Sequence, residues 1–200
     1  MYVNLPDAGI TDYGAFTHRG MGRSVTPAAL ELFMDGRPMT LARWPDDDWV
    51  TIADVPTPMP DPMDESRTGD SGRGVFEYGG DRPAQWRNHG EIWIHGYWTW
   101  DWADSYEHIK TIDTSSRRIE THEPHGVYGY KEGQRYYYLN VPEELDSPGE
   151  WYLDRATGTL FFLPPEPLNG AEVHVSLCEE PLIVLDSARH VTARGLVLES

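Results

Sequence analysis

The sequence predicts an all-β fold, a β-barrel or barrel-like sandwich of short antiparallel strands. Three observations lead there. Nineteen glycines and 16 prolines interrupt the 200 residues too often for long helices. Short runs alternate apolar and polar side chains, the period of a half-buried strand. Polar, glycine-bearing turns separate those runs, and helical periodicity is almost absent. Eight tryptophans, 11 tyrosines and five phenylalanines supply core material at ~150–250 Å² of burial each.

The elements follow in order. Residues 28–34 place Leu30, Leu32 and Met34 on one face and Glu31 and Phe33 on the other. Asp35-Gly36-Arg37-Pro38 is turn chemistry, because glycine reaches positive φ without steric cost. Residues 39–43 return as the second arm of a hairpin. From 46 to 74 the alternation stops. Pro56, Pro58, Pro60 and Pro62 recur at every second residue, and Asp54, Asp61, Asp64, Glu65 and Asp70 add charge. Proline cannot donate to a sheet ladder, so a long surface loop is expected there. Strands resume at 75–78 and 91–98. Residues 106–112 and 117–121 flank the polar turn 113–116. The tyrosine-rich segment 135–141 is a strand, 150–154 and 159–163 flank the turn 155–158, and 171–177 alternates cleanly. In the tail, 181–186 and 191–199 are short apolar runs about one solenoid rung apart. A rung is stable only when stacked on another, so the chain is expected to be truncated there.

Acidic residues outnumber basic ones by 33 to 16, for a formal charge of −17. That excess argues against nucleic acid and against an anionic membrane as partners. No apolar run approaches the ~18 residues of a transmembrane helix. The first residues have no basic n-region or apolar h-region, so no signal peptide is read. Cys178 stands alone, which excludes an internal disulfide.

Three stretches carry a resemblance. They are 31–45 (ELFMDGRPMTLARWP), 95–104 (HGYWTWDWAD) and 148–165 (PGEWYLDRATGTLFFLPP). They resemble the barrel-bearing N-terminal region of bacterial right-handed parallel β-helix proteins, a group with many glycoside hydrolases, among them α-galactosidase-like, β-xylosidase-like and α-fucosidase-like enzymes. Residues 191–196 (VTARGL) look like the first rung after such a barrel. The resemblance implies a barrel accessory domain over 1–180 and the start of a parallel β-helix over 181–200. It implies a secreted parent enzyme of polysaccharide degradation, extracellular or periplasmic. Its catalytic carboxylates would lie on rungs beyond Ser200, so no catalytic residue is assigned here.

Trp98, Trp100 and Trp102 are the most informative residues. If extended, they project from one face with period 2. Indoles stack on the C–H faces of sugars, and Asp101 and Asp104 can accept hydroxyl hydrogen bonds. The same indoles can equally fill the barrel, or face another partner. His95, six residues after His89, sits at a strand start and either points into a cleft or is a hydrogen-bonded strand histidine. Paired carboxylates are the equipment of a glycosidase. Asp101, Asp104 and Glu107 are near one another, yet in so acidic a chain such spacing reads as a solvated face.

His122, His125 and a neighbouring Glu120 or Glu123 are possible zinc donors, but Pro124 breaks any helix and no third ligand is identifiable. Cys178 precedes Glu179 and Glu180, which oppose thiolate formation. Residues 154–158 read as a turn capped by Asp154. There is no Gly-x-Ser-x-Gly elbow around Ser105, Ser147 or Ser187, no phosphate loop and no dinucleotide fingerprint. No cofactor and no metal are expected.

The leading expectation is a non-catalytic barrel segment of a carbohydrate-active β-helix enzyme, flanking a glycan cleft. Its partners would be the parent's glycan substrate and a C-terminal β-helix domain. The acidity makes strongly anionic polysaccharides a less natural ligand unless calcium bridges them. The alternatives are a self-standing carbohydrate-binding module and a purely structural or interaction domain.

Overall fold

The computed structural model describes residues 1–24, 26–56, 74–87 and 91–197. These residues form fourteen strands and three single-turn 3-10 helices. The strands are β1 (Tyr2–Asn4), β2 (Glu31–Met34), β3 (Arg37–Pro38), β4 (Thr40–Leu41), β5 (Arg43–Trp44), β6 (Val50–Asp54) and β7 (Val75–Tyr78). They continue as β8 (Trp93–Tyr97), β9 (Asp104–Asp113), β10 (Arg118–Thr121), β11 (Arg135–Leu139), β12 (Glu150–Asp154), β13 (Thr159–Phe162) and β14 (Val173–Ser176). The fold is all-β, and its strand pairs are antiparallel except β4 with β12.

Six strands close a ring in the order β6, β7, β10, β9, β8, β11. Closure falls on β11. One of its edges pairs with β8, from Tyr136↔Gly96 to Leu139↔Trp93. Its other edge takes β6 at Arg135 and Tyr136, then β5 at Tyr138 and Leu139. Alternate residues point inward, and Ile52, Phe76, Ile94, Ile109, Ile119, Tyr136 and Tyr138 are fully buried. Trp86, Trp98 and Tyr130 complete this core. Each such side chain contributes about 1.5–3 kcal/mol of burial. The Tyr136 and Tyr138 hydroxyls, 2.9 Å apart, satisfy one another in the apolar interior.

A smaller sandwich lies beside the barrel. The sheet β1-β13-β12-β4 faces the sheet β14-β2-β3 across Leu32, Met34, Trp151, Leu153, Leu160 and Phe162. The hairpin β2–β3 turns on Asp35 and Gly36, both at positive φ. Two adjacent positive φ values define the tight hairpin turn whose twist matches the strands, and Asp-Gly is a favoured pair for it. Between β4 and β5 a single residue, the fully buried Ala42, carries the chain from sandwich to barrel. Its N–H donates to Trp151 O and its carbonyl accepts from Val141 N–H.

The segment before β2 fastens the barrel mouth. Gly20 bridges Ser105, and Met21 N–H donates to Asp104 O. Arg23 then reaches inside to Glu107, and also donates to the carbonyls of Tyr106, Pro124 and His125 at 2.7–2.9 Å.

Two expectations need correction. The loop expected over 46–74 contains β6, whose Ile52 is part of the barrel core. Val50 and Ile52 share the inward face, and the prolines begin only after this strand. Residues 57–73 of that loop lie outside the described residues. In the tail, no strand forms among the described residues of 181–197, and Leu182, Ile183, Val184 and Leu185 are exposed.

Candidate functional site

The outer barrel face of β9, β8 and β11 carries three cross-strand rows. In register, Asp104 lies opposite Tyr97, Tyr106 opposite His95, and His108 opposite Trp93. On the other side of β8, Tyr137 lies opposite His95 and Leu139 opposite Trp93. His95 is therefore central, with its ring 4.3 Å from that of Tyr106 and 5.1 Å from that of Tyr137. Trp49, placed by the start of β6, leans over this centre. Its ring lies 5.0 Å from Tyr137, 5.8 Å from Tyr97 and 5.9 Å from His95. Trp49, Tyr97, Tyr106 and Tyr137 are half-buried, so each ring keeps some accessible surface.

The polar centre is His95 with Asp104. Nε2 lies 3.0 Å from Asp104 Oδ2. When Nε2 donates to this carboxylate, Nδ1 is left as an acceptor. Nδ1 is buried and has no hydrogen-bond partner among the described residues. Burial pushes the imidazole pKa down and outweighs the upward pull of Asp104. The ring is neutral at pH 7 and orients the Asp104 carboxylate through Nε2. Burial also raises the Tyr137 phenol, which stays protonated.

Guanidinium groups ring this centre. Arg135 packs over Tyr97 at 4.2 Å and Trp49 at 5.5 Å, and pairs with Asp101. Arg43 lies 3.7 Å above Tyr137, and Arg19 lies 5.1 Å above Tyr106. Beside Arg19, Arg43, Tyr106 and Tyr137, a cleft of about 200 Å³ opens between barrel and sandwich.

The structure brings His95 and Asp104 together and disperses the tryptophans. Residues 98–102 are a bend followed by a turn rather than a strand. The expected single face of Trp98, Trp100 and Trp102 is therefore absent, because the chain turns there from β8 into β9. Trp98 points into the barrel, where its Nε1 donates to Ser105 Oγ at 2.9 Å. Trp100 is half-buried near Lys131 Nζ. Trp102 is 59% exposed and packs edge-on against Tyr128. Asp101 is exposed and reaches the site only through Arg135.

The three nearby acids also diverge. Asp104 faces outward, whereas Glu107 is fully buried inside the barrel rather than on a solvated face. It accepts from Ser105 Oγ at 2.5 Å and pairs with Arg23 at 3.0 Å. Burial dominates these interactions and raises its carboxyl to about 7. Of the other residues singled out, His122 stacks on His108 and His125 Nδ1 lies 3.0 Å from Thr121 Oγ1. No group of three or more potential metal ligands forms among the described residues. Asp154 closes its turn by accepting from Ala156 N–H and Thr157 Oγ1. Cys178 is exposed, and His89 lies outside the described residues.

Trp49, Tyr97, Tyr106 and Tyr137, with Arg19 and Arg43, are the site residues that sequence reasoning missed. The available signal was Trp93, His95 and Tyr97 at period 2, joined to the tyrosine run 136–138.

No protein-family model matches the chain, and no curated protein matches it. A solved glycoside hydrolase has a similar fold, with a TM-score of 0.54 at 18% identity. The match covers 72% of this chain and 26% of that protein, so the chain spans about a quarter of the hydrolase's length. At this identity the likeness establishes a shared all-β architecture.

Proposed function

We propose that this chain is a non-catalytic barrel segment of a carbohydrate-active enzyme, and that its outer face around His95 forms one wall of a glycan cleft. The observation that carries this reading is the grouping of half-exposed Trp49, Tyr97 and Tyr137 around buried His95 and its half-exposed partner Asp104. Aromatic faces take the apolar C–H side of a sugar, while the half-exposed Asp104 carboxylate, held by His95, takes its hydroxyls. These groups stand on barrel strands, so little side-chain freedom is lost on binding. The glycoside hydrolase with a similar fold supports the carbohydrate setting. In this reading the reaction belongs to a parallel β-helix on the same parent protein, which acts on polysaccharide outside the cytoplasm.

The test is a titration of the whole chain with a panel of neutral and acidic oligosaccharides, followed by tryptophan fluorescence and calorimetry. Trp49→Ala is expected to weaken binding by up to about tenfold, the loss of one stacked aromatic, measured below a thermal midpoint that the lost packing on Tyr137 and His95 lowers. Trp102→Ala is expected to leave binding intact. Failure of every glycan to bind overturns the proposal, as does full binding by Trp49→Ala.

A further inference from the structure

The chain carries about twice as many acids as bases, yet only half of the arginines among the described residues pair with a carboxylate; of the unpaired ones, Arg87, Arg155, Arg189 and Arg194 do not line the cleft. Arg23, Arg82 and Arg135 pair with Glu107, Glu144 and Asp101. Arg37, Arg117 and Arg118 pair with Glu166, Asp81 and Glu77. Arg19 and Arg43 have no carboxylate partner among the described residues, and both line the cleft between barrel and sandwich.

Their settings are alike. Each guanidinium lies over a tyrosine of the row that His95 centres, Arg19 over Tyr106 and Arg43 over Tyr137. Stacking holds the planar group flat and leaves its N–H rim to meet an acceptor. Arg43 commits Nε and Nη2 to the carbonyls of Pro45 and Asp48, and its Nη1 is uncommitted among the described residues. Arg19 Nε is buried with no partner among the described residues. With Nε enclosed, the terminal nitrogens of Arg19, which have no partner among the described residues, are the donors left for a ligand in the cleft. Glu31, the acid on the cleft wall, pairs with neither arginine. Arg155 is another buried guanidinium without an acceptor among the described residues, but it packs on Phe16 and does not line the cleft.

We infer that the cleft takes the carboxylate of an acidic sugar, a hexuronate unit, between Arg19 and Arg43, with the neighbouring ring of the glycan against the wall around His95. This rests on the glycan-binding reading above and narrows its substrate class. A planar carboxylate is the acceptor that matches guanidinium forks. Net charge disfavours anions at long range, yet both arginines also act on His95, where they oppose its protonation. Asp104 acts on His95 more strongly in the opposite sense, so the positive charge is confined to the two guanidinium groups that line the cleft.

The experiment is calorimetry on the full chain with trigalacturonate, triglucuronate and trimannuronate, each beside the neutral trisaccharide of the same linkage. At least one acidic probe is expected to bind roughly tenfold or more tighter than its neutral counterpart, the scale of one charge-assisted contact. Arg19→Gln and Arg43→Gln should each bring that ratio close to one. Arg19 makes no side-chain hydrogen bond among the described residues, so Arg19→Gln is expected to keep the thermal midpoint. Arg43→Lys, which retains a cation but not the planar fork, should fall between native and glutamine. Equal affinity for acidic and neutral probes overturns this inference and leaves the glycan wall standing. Acid preference that survives both glutamine variants overturns it too. Binding of no probe overturns both readings.

Discussion

Replacing Glu107 by glutamine keeps the shape of a side chain inside the barrel and removes its titration. In the native chain burial lifts this carboxyl from an ordinary 4.5 to about 7, against the pull of Arg23 and Ser105. Unfolded, it titrates near its ordinary value. Between those two values the folded state therefore holds more protons than the unfolded state, and stability falls as pH rises. The rise of about 2.5 pH units, at ~1.4 kcal/mol each, is on the order of 3 kcal/mol. His18 acts in the opposite direction, because burial lowers it to about 4 and folding then opposes its protonation. The glutamine variant shares that contribution, so subtraction removes it. The assay is urea unfolding of both proteins at several pH values between about 4.5 and 7.5. Relative to Glu107→Gln, the native chain should gain about 3 kcal/mol as pH falls across that window. A flat difference refutes the reasoning. A difference of opposite sign refutes it more sharply, since Arg23 would then outweigh burial and hold the carboxylate ionised.

Two further substitutions probe what holds the barrel. Arg82 donates to both oxygens of buried Glu144 at 2.6–2.7 Å, and Trp86 Nε1 donates to the same carboxylate. Arg82→Ala should cost about 2–3 kcal/mol in chemical denaturation, less than a wholly buried pair because the arginine is partly exposed. Gly20 sits at φ 109, and a Cβ there would run into the Asp104 carbonyl and Ser105 Cα. Gly20→Ala should therefore cost about 1–3 kcal/mol and increase hydrogen exchange at the Met21 amide, whose bond to Asp104 depends on that approach.

Legibility in the sequence followed local chemistry. Val75–Tyr78 and Glu150–Asp154 have the bounds that alternation implies, because each run is bracketed by turn residues. The Asp35-Gly36 turn was equally plain. β6 was hidden by its neighbours, since a five-residue strand beside a proline-rich segment has little pattern of its own. β8 lies within the strand expected over 91–98, but which of its faces is buried was not legible. Trp93, Ile94 and His95 are all buried, since the barrel interior takes one face while Phe16, His18 and Trp49 cover the other. Two covered faces erase alternation. The site was legible in part. His95 and Asp104 are local neighbours, nine residues apart, and their pairing across a hairpin follows from β8 meeting β9. Trp49, Arg19 and Arg43 arrive from distant stretches, and only tertiary packing shows that they meet.

The pairing of Tyr2 with Phe161 has a consequence for biosynthesis. At roughly 5–20 residues per second, the ribosome needs on the order of ten seconds or more to make the partner of the first strand. Until then Tyr2, Val3 and Leu5 have no β13 to join, although every barrel strand from β6 to β11 has already emerged. The order of translation thus lets the ring assemble first and leaves the adjoining sheet to be finished by the newest residues, during an interval when a chaperone has apolar chain to hold.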